Sequence, residues 1–403
     1  MLIIADDYTG AADAAVGLAM HGFSAMILLD PCGLGAGSDV TALDLDTRHR
    51  TAADALEMVR SALARNFAED FVFKKIDSTL RGQIGAELRA LADATKDCTV
   101  PMLVAPAVPE NGRIVVGGRV LVRGVPLEQT DIWQCERATS DPDMPARTSQ
   151  LLARSGLRAE EIHLSALREG VPSLRARLIE HKAAGVDAVI LDSETAKDLA
   201  IIAETAASFE RMPVCVGAAG LAGSFGRLMG RRDAKRSFAR TTTATPVLLA
   251  IASQSGTARA QIEFLASRSD VAMIETTGAV EPLAKRAAET LADGRHVLLH
   301  APVACQDALS RGNAATMAVI VAQVAGRAGA LVASGGDTAR ACLQSMGYTR
   351  MNIEGELAPG VVLGHPVDRT GFAFVSKAGD FGDDKTLSTC IDLLTAPAKG
   401  TAL

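Results

Sequence analysis

Aromatic side chains are scarce in this chain. One Trp, two Tyr and eleven Phe make up 3% of its 403 residues, too few rings to build stacking platforms for single-stranded nucleic acid. A surplus of positive charge is lacking as well. Lys and Arg number 41 against 47 Asp and Glu, for a formal net charge of −6, so neither nucleic acid nor an anionic membrane finds a basic face. No apolar run approaches the ~18–20 residues that a membrane-spanning helix needs. Met1, Leu2, Ile3 and Ile4 lead at once to Asp6, without the basic and long apolar regions of a signal peptide. CxxC pairs are also missing. The seven cysteines (Cys32, Cys98, Cys135, Cys215, Cys305, Cys342, Cys390) are scattered and odd in number. That is the pattern of reduced thiols in a cytoplasmic protein.

What is present is a rhythm. Short apolar runs alternate with amphipathic helical patterns, which predicts an α/β fold with parallel strands covered on both faces. Strands are expected at Leu2–Ala5, Ala25–Leu29, Ala42–Asp46, Phe71–Ile76, Met102–Ala105, Ala188–Leu191 and Val214–Val216. Helices are expected over 11–21, 52–65, 83–94, 172–184 and 195–209. Residues 109–135, rich in Gly and Val, read as a β-hairpin insertion. Near residue 231 the composition shifts: Arg231–Pro246 clusters cations, then threonines and a proline, and is the best linker candidate. Strands restart at Val247–Ala252, Val271–Glu275, Val297–His300, Ala330–Ala333 and Phe372–Val375. Two domains are therefore expected, 1–235 and 245–403, each a largely parallel β-sheet flanked by helices.

Open α/β sheets place ligands outside the carboxyl ends of their strands. The first strand ends in Asp6 and Asp7, two carboxylates able to bind hydroxyls, hold Mg²⁺ or act as a general base; a helix cap would need only one. Arg48, after the third strand, suits a bidentate carboxylate clamp. Strand four delivers Lys74, Lys75, Asp77, Ser78, Thr79 and Arg81. Three cations, one carboxylate and two hydroxyls within eight residues suit a small, polar, anionic ligand. Alternation along that strand lets only one of the two lysines face it. Arg113, past the prolines that follow strand five, is a further candidate for the same site.

The second half has three Gly/Ser-rich strand tips: Ser253 to Thr257, Ser334 to Ala339, and Ser376 to Gly382. Glycines let main-chain N–H groups approach phosphates, and a following helix N-terminus adds its positive end. Neither a P-loop nor a G-x-G-x-x-G at a first strand is present. An acceptor site paired with a phosphate cradle points to phosphoryl transfer.

The segments IADDYTGAADA, KKIDSTLRGQIGAEL, APAVPENGR, GAAGLAG, SGGDTARA and VSKAGDFGD, in this order along nearly the whole chain, resemble the four-carbon acid sugar kinase family. The resemblance implies ATP-dependent phosphorylation of the C4 hydroxyl of D-threonate, D-erythronate or a 3-oxo-tetronate. It places substrate contacts on Asp7, Arg48 and Lys75, Ile76, Asp77 and Ser78. It places ATP contacts on Ser253 or Ser255, on Gly335, Gly336, Asp337 and Thr338, and on Gly379. Gly382 is assigned with that last loop, and a homodimer is the expected assembly. Tyr8 stands where the family more often has Phe. Asp380 replaces a second glycine, putting a carboxylate beside the expected phosphates or beside Mg²⁺.

The mechanism expected from these residues has Arg48 with Lys75 or Arg81 on the substrate carboxylate, and Asp7 or Asp77 as base. Mg²⁺ and Lys377 or main-chain N–H groups would neutralise the phosphates. Two rivals are an oxidoreductase using a nucleotide cofactor and a sugar-acid sensor without turnover.

Overall fold

The computed structural model describes residues 1–30, 37–66, 71–134, 143–230, 245–253, 255–302 and 310–396. The linker expected at Arg231–Pro246 lies, up to residue 244, outside the described residues, as do Cys32, Cys135 and Cys305. The chain forms two compact units, 1–23 with 31–234 and 24–30 with 235–403.

The strands in chain order are β1 (Leu2–Ala5), β2 (Ala25–Leu28), β3 (Val40–Asp44), β4 (Val72–Lys75), β5 (Met102–Ala105), β6 (Arg113–Val116), β7 (Arg119–Val122), β8 (Val125–Pro126), β9 (Ala159–Ile162), β10 (Ala188–Leu191), β11 (Cys215–Gly217), β12 (Val247–Ile251), β13 (Val271–Glu275), β14 (His296–His300), β15 (Ala330–Ser334), β16 (Arg350–Ala358), β17 (Val361–Pro366) and β18 (Ala373–Lys377).

In the first unit seven strands run parallel in the order β3-β1-β4-β11-β5-β10-β9. Strands β1 and β5 are apolar on both faces because helices cover both; Leu2, Ile3, Ile4, Leu103 and Val104 are fully buried. Helices Tyr8–Ala19 and Ala219–Met229 cross closely. A Cβ on Gly17 would lie 3.2 Å from the Gly223 backbone, so the crossing depends on small residues. The insertion expected as a hairpin is a small three-stranded antiparallel sheet, β6-β7-β8.

The second unit holds a parallel run β13-β14-β12-β15-β18, continued by the antiparallel strands β17, β16 and β2. Its core includes Leu249, Val332, Val375, Leu387 and Ile391. Two features depart from expectation. Ala25–Leu28, read as part of the first sheet, pairs antiparallel with β16 and belongs to the second unit. No strands were expected between 333 and 372, yet β16 and β17 form a long hairpin. Asn352, Glu354 and Glu356 alternate with the buried Met351, Ile353 and Gly355, the pattern of a half-exposed antiparallel strand, which a search for continuous apolar runs passes over. The third strand also ends sooner than Asp46, at Asp44, with Asp46 at φ 52.

Among the described residues no helix is long and apolar enough to cross a membrane. The three described buried cysteines, Cys215, Cys342 and Cys390, are free thiols, and burial pushes Cys342 and Cys390 up to about 12.

Candidate active site

In the first sheet the chain order reverses at β1, with β3 on one side and β4 on the other. Side chains beyond the carboxyl ends of these strands therefore converge at a topological switch point. Asp7 ends β1 and caps the helix behind it: its Oδ1 accepts the Gly10 N–H at 2.7 Å and its Oδ2 accepts Thr9 Oγ1 at 2.8 Å. The capping role and the site role thus coexist in one carboxylate. Main-chain N–H groups of Thr47 and Arg48 donate to the Asp6 carbonyl, drawing the β3 tip over β1. Arg48 Nε then donates to Asp6 at 2.8 Å and Nη1 to Asp7 at 2.6 Å, while Nη2 lies 3.8 Å from Asp77.

Asp77 is the second hub. It receives both arms of Arg81, at 3.0 and 2.9 Å, and both the N–H and the hydroxyl of Thr79. Ser78 accepts from Arg113 at 2.6 Å. Burial would raise Asp77, but Arg81, Arg48 and Arg113 outweigh it and hold the carboxyl well below its usual range. Asp6 is likewise held low: burial opposes ionisation, and Arg48, Lys74 and Lys75 overcome it. Its Oδ1 has no hydrogen-bond partner among the described residues.

The two lysines part company. Lys74 is fully buried with its Nζ 3.1 Å from Glu87, and Thr47 bonds the same carboxyl. Glu87 Oε2 makes no directed hydrogen bond, so the contact with Lys74 is ionic. Burial raises Glu87 despite Lys74. Lys74, expected at the substrate, thus lies in a buried pair with Glu87. Lys75 points the other way, donating to the Ile76 carbonyl at 3.0 Å, with its Nζ against the first helical turn; a Cβ on Gly10 would sit 3.3 Å from it. Ile76 is buried and takes part through that carbonyl.

Two acidic residues of this region escaped the sequence reading. Asp13 lies one helical turn beyond Thr9, within electrostatic reach of Lys75, Asp7 and Arg113, and burial raises its carboxyl. Its i+4 spacing from Thr9 was the available signal. Asp192, at the tip of β10, accepts the N–H groups of Gly117 and Gly118 at 2.8 Å each. It thereby anchors the small sheet whose first residue is Arg113. Gly217 and Gly220 serve packing: a Cβ on them would lie 2.7 Å from the Ala105 carbonyl and 2.5 Å from the Ala107 carbonyl.

In the second unit the tips of β12, β15 and β18 are neighbours, with Ser334 registered against both Ile251 and Lys377. Ser255 caps the helix Gly256–Ala266, bonds Ser253 and donates to the Gly379 carbonyl at 3.3 Å. Gly335 adopts φ +102 ahead of the helix Gly336–Ser345, and its N–H donates to the Lys377 carbonyl at 2.8 Å. Asp337 and Thr338 lie in that helix's first turn. The Lys377 ammonium, expected on phosphate, instead faces the carbonyls of Ala378, Gly379 and Phe381.

Residues 1–225 match the family model described as a sugar-binding N-terminal domain, and 248–387 the one described as a nucleotide-binding C-terminal domain. A D-threonate kinase from Cupriavidus necator is 33% identical, the match covering 96% of each chain. The chain belongs to the four-carbon acid sugar kinase family. Within it, a D-threonate kinase from Salmonella typhimurium is 29% identical over 96% of both chains. The fold is shared with a solved Salmonella typhimurium LT2 structure at TM-score 0.81 and 23% identity, covering 98% of this chain and 99% of that one. This kinase thus carries its carboxylate–guanidinium cluster in the part matched to sugar binding, and its three glycine-rich tips in the part matched to nucleotide binding. A small depression of about 120 Å³ beside Lys96, Lys182 and Met102 opens near the other ends of the first unit's strands, away from the carboxylate–guanidinium cluster.

Proposed function

We propose that the protein transfers the γ-phosphoryl group of ATP to the C4 hydroxyl of a four-carbon sugar acid, D-threonate or D-erythronate. The observation that carries this reading is the Arg48-centred cluster at the switch point of the first sheet. It sets three carboxylates against three arginines, charges and hydrogen-bonding groups that suit a small anion with several hydroxyls. Arg81, 32% exposed against 12% for Arg48, receives the substrate carboxylate together with Arg113. Arg48, whose Nε and Nη1 are engaged, orients Asp6 and Asp7. Asp77 is held too strongly ionised to be an effective base and accepts substrate hydroxyls instead. Asp7 takes the C4 hydroxyl proton as that oxygen bonds to the γ-phosphorus, and the bond from the γ-phosphorus to the bridging oxygen of ADP breaks.

Among the described residues no three His, Cys, Asp or Glu side chains are grouped to hold a metal. Mg²⁺ bound with the nucleotide would supply charge neutralisation at its phosphates. The protein works in the cytoplasm, as a homodimer; light scattering tests the assembly.

The deciding experiment is ADP release, coupled to a spectrophotometric readout, over D-threonate, D-erythronate, their enantiomers and a 3-oxo-tetronate. Turnover with one of the first two, and phosphate on C4 by NMR, is the expected result. A markedly faster rate with the 3-oxo acid would move the substrate to that class. ATP turnover with none of them would overturn the reading.

A further inference from the structure

The Lys377 ammonium has three N–H donors and faces three main-chain carbonyls, those of Ala378 at 2.8 Å, Gly379 at 3.0 Å and Phe381 at 3.0 Å. The loop is held from below at further points. Ser255 also donates to the Gly379 carbonyl, and the buried Gln261 donates to the carbonyls of Phe381 and Asp383 at 3.1 and 2.8 Å. A trans peptide is planar and sets its N–H opposite its C=O. Turning these carbonyls inward therefore turns the N–H groups of Gly379, Asp380 and Gly382 outward. None of the three has a hydrogen-bond acceptor among the described residues. Gly382 needs to be glycine, since it adopts φ +82 and a Cβ would overlap the Thr386 side chain. Asp380 is not among the residues at positive φ, so its position does not demand glycine.

We infer that Lys377 is a positioning residue: it holds the 378–382 loop with three main-chain amides facing outward as a cradle for the phosphates of a nucleoside di- or triphosphate, without touching the phosphates itself. Asp380 joins that cradle through its N–H alone, so the carboxylate that replaces a glycine leaves the site competent. The arrangement uses the lysine charge to fix carbonyls and leaves amide dipoles for the anion. Burial pulls Lys377 down to about 8, against the carboxylate of Asp380 and the thiol of Cys390, the ionisable groups that face it. Deprotonation leaves two donors for three carbonyls, so the cradle loosens as pH rises.

This inference rests on the kinase reading, and the test separates the two. ADP affinity is measured by calorimetry, and amide hydrogen exchange over 376–386 without nucleotide, on the full-length protein, Lys377→Met and Asp380→Gly. The KM for ATP of the wild type is followed from pH 7 to 9.5. Lys377→Met is expected to weaken ADP binding by about 10- to 100-fold and to speed exchange in the loop of the nucleotide-free protein. The KM for the sugar acid stays unchanged. Asp380→Gly keeps ADP affinity within about threefold. Wild-type KM for ATP climbs above pH 8. Weakened ADP binding with unaltered exchange would make Lys377 a direct phosphate ligand and overturn the inference. A flat KM for ATP across the pH range would also overturn it, whether or not Lys377→Met folds. A wild type that binds no ADP would sink the kinase reading as well.

Discussion

Replacing Arg48 by Met removes the cation that three carboxylates share. In the wild type the Arg48 side chain is only 12% exposed, 2.8 Å from Asp6, 2.6 Å from Asp7 and 3.8 Å from Asp77. At an effective dielectric of about 20 the contact with Asp6 alone is worth ~6 kcal/mol before desolvation is charged against it. Removing one partner of a buried pair has a net cost of about 3–5 kcal/mol, because it strands a desolvated charge. For a unit of this size that corresponds to a fall in Tm of roughly 6–20 °C. The pH dependence gives the sharper test. In the wild type Asp6 and Asp77 have lowered values, so their stabilisation is complete above the unfolded value near ~3.9 and is lost as pH falls through the folded values. In Arg48→Met the stranded Asp6 is raised instead. Its penalty is largest at neutral pH and shrinks as acid protonates it. Thermal unfolding of both proteins at pH 7.5 and pH 5 should show the Tm gap narrowing towards pH 5. A gap that widens in acid, or a loss below about 1 kcal/mol at pH 7.5, would refute the shared-cation account. Arg48→Lys should recover part of the loss, since it restores the charge without the fork.

Lys74→Met and Glu87→Leu should each destabilise by about 3–5 kcal/mol, and the double variant by much less than their sum, in denaturant titrations. Sugar-acid KM should hold in the double variant; a large rise there would return Lys74 to the substrate. Asp7→Asn should lower kcat by about 10²–10⁴, while Asp77→Asn acts mainly on sugar-acid KM by releasing Arg81. Equal kcat losses in both would undo the assignment of roles. Gly382→Ala should cost about 1–3 kcal/mol through φ strain and overlap with Thr386, and weaken ADP binding; an unchanged Tm would show that the loop relaxes freely.

The parallel core was legible because buried strands write themselves as continuous apolar runs. β1 and β13 fall on the expected residues, and β4 within one residue of them at each end. The switch-point cluster was legible for a related reason, since polar residues directly after such runs stand at strand tips. What stayed hidden depends on partners distant in sequence. Ala25–Leu28 has the composition of a parallel strand, and only Arg350–Ile353 makes it antiparallel. Lys74 and Lys75 are adjacent and alike until Glu87 claims one. Lys377 ends an apolar strand before a glycine-rich turn, as a phosphate-binding lysine would, and nothing in its neighbours reveals that the loop carbonyls fold back on it. Asp192 reads as an ordinary strand end, and its work depends on a turn 74 residues earlier.

The pairing of Ala25–Leu28 with β16 also has a consequence in time. Leu28 and its partner Arg350 are 350 − 28 = 322 positions apart. At ~5–20 residues per second of synthesis the earlier strand waits roughly 16–64 s for its partner to be made. The second sheet is therefore extended beyond β16 by a segment made almost first. A recombinant fragment begun at residue 245 would leave β16 as a bare edge, its row of N–H and C=O groups open to any strand that meets it.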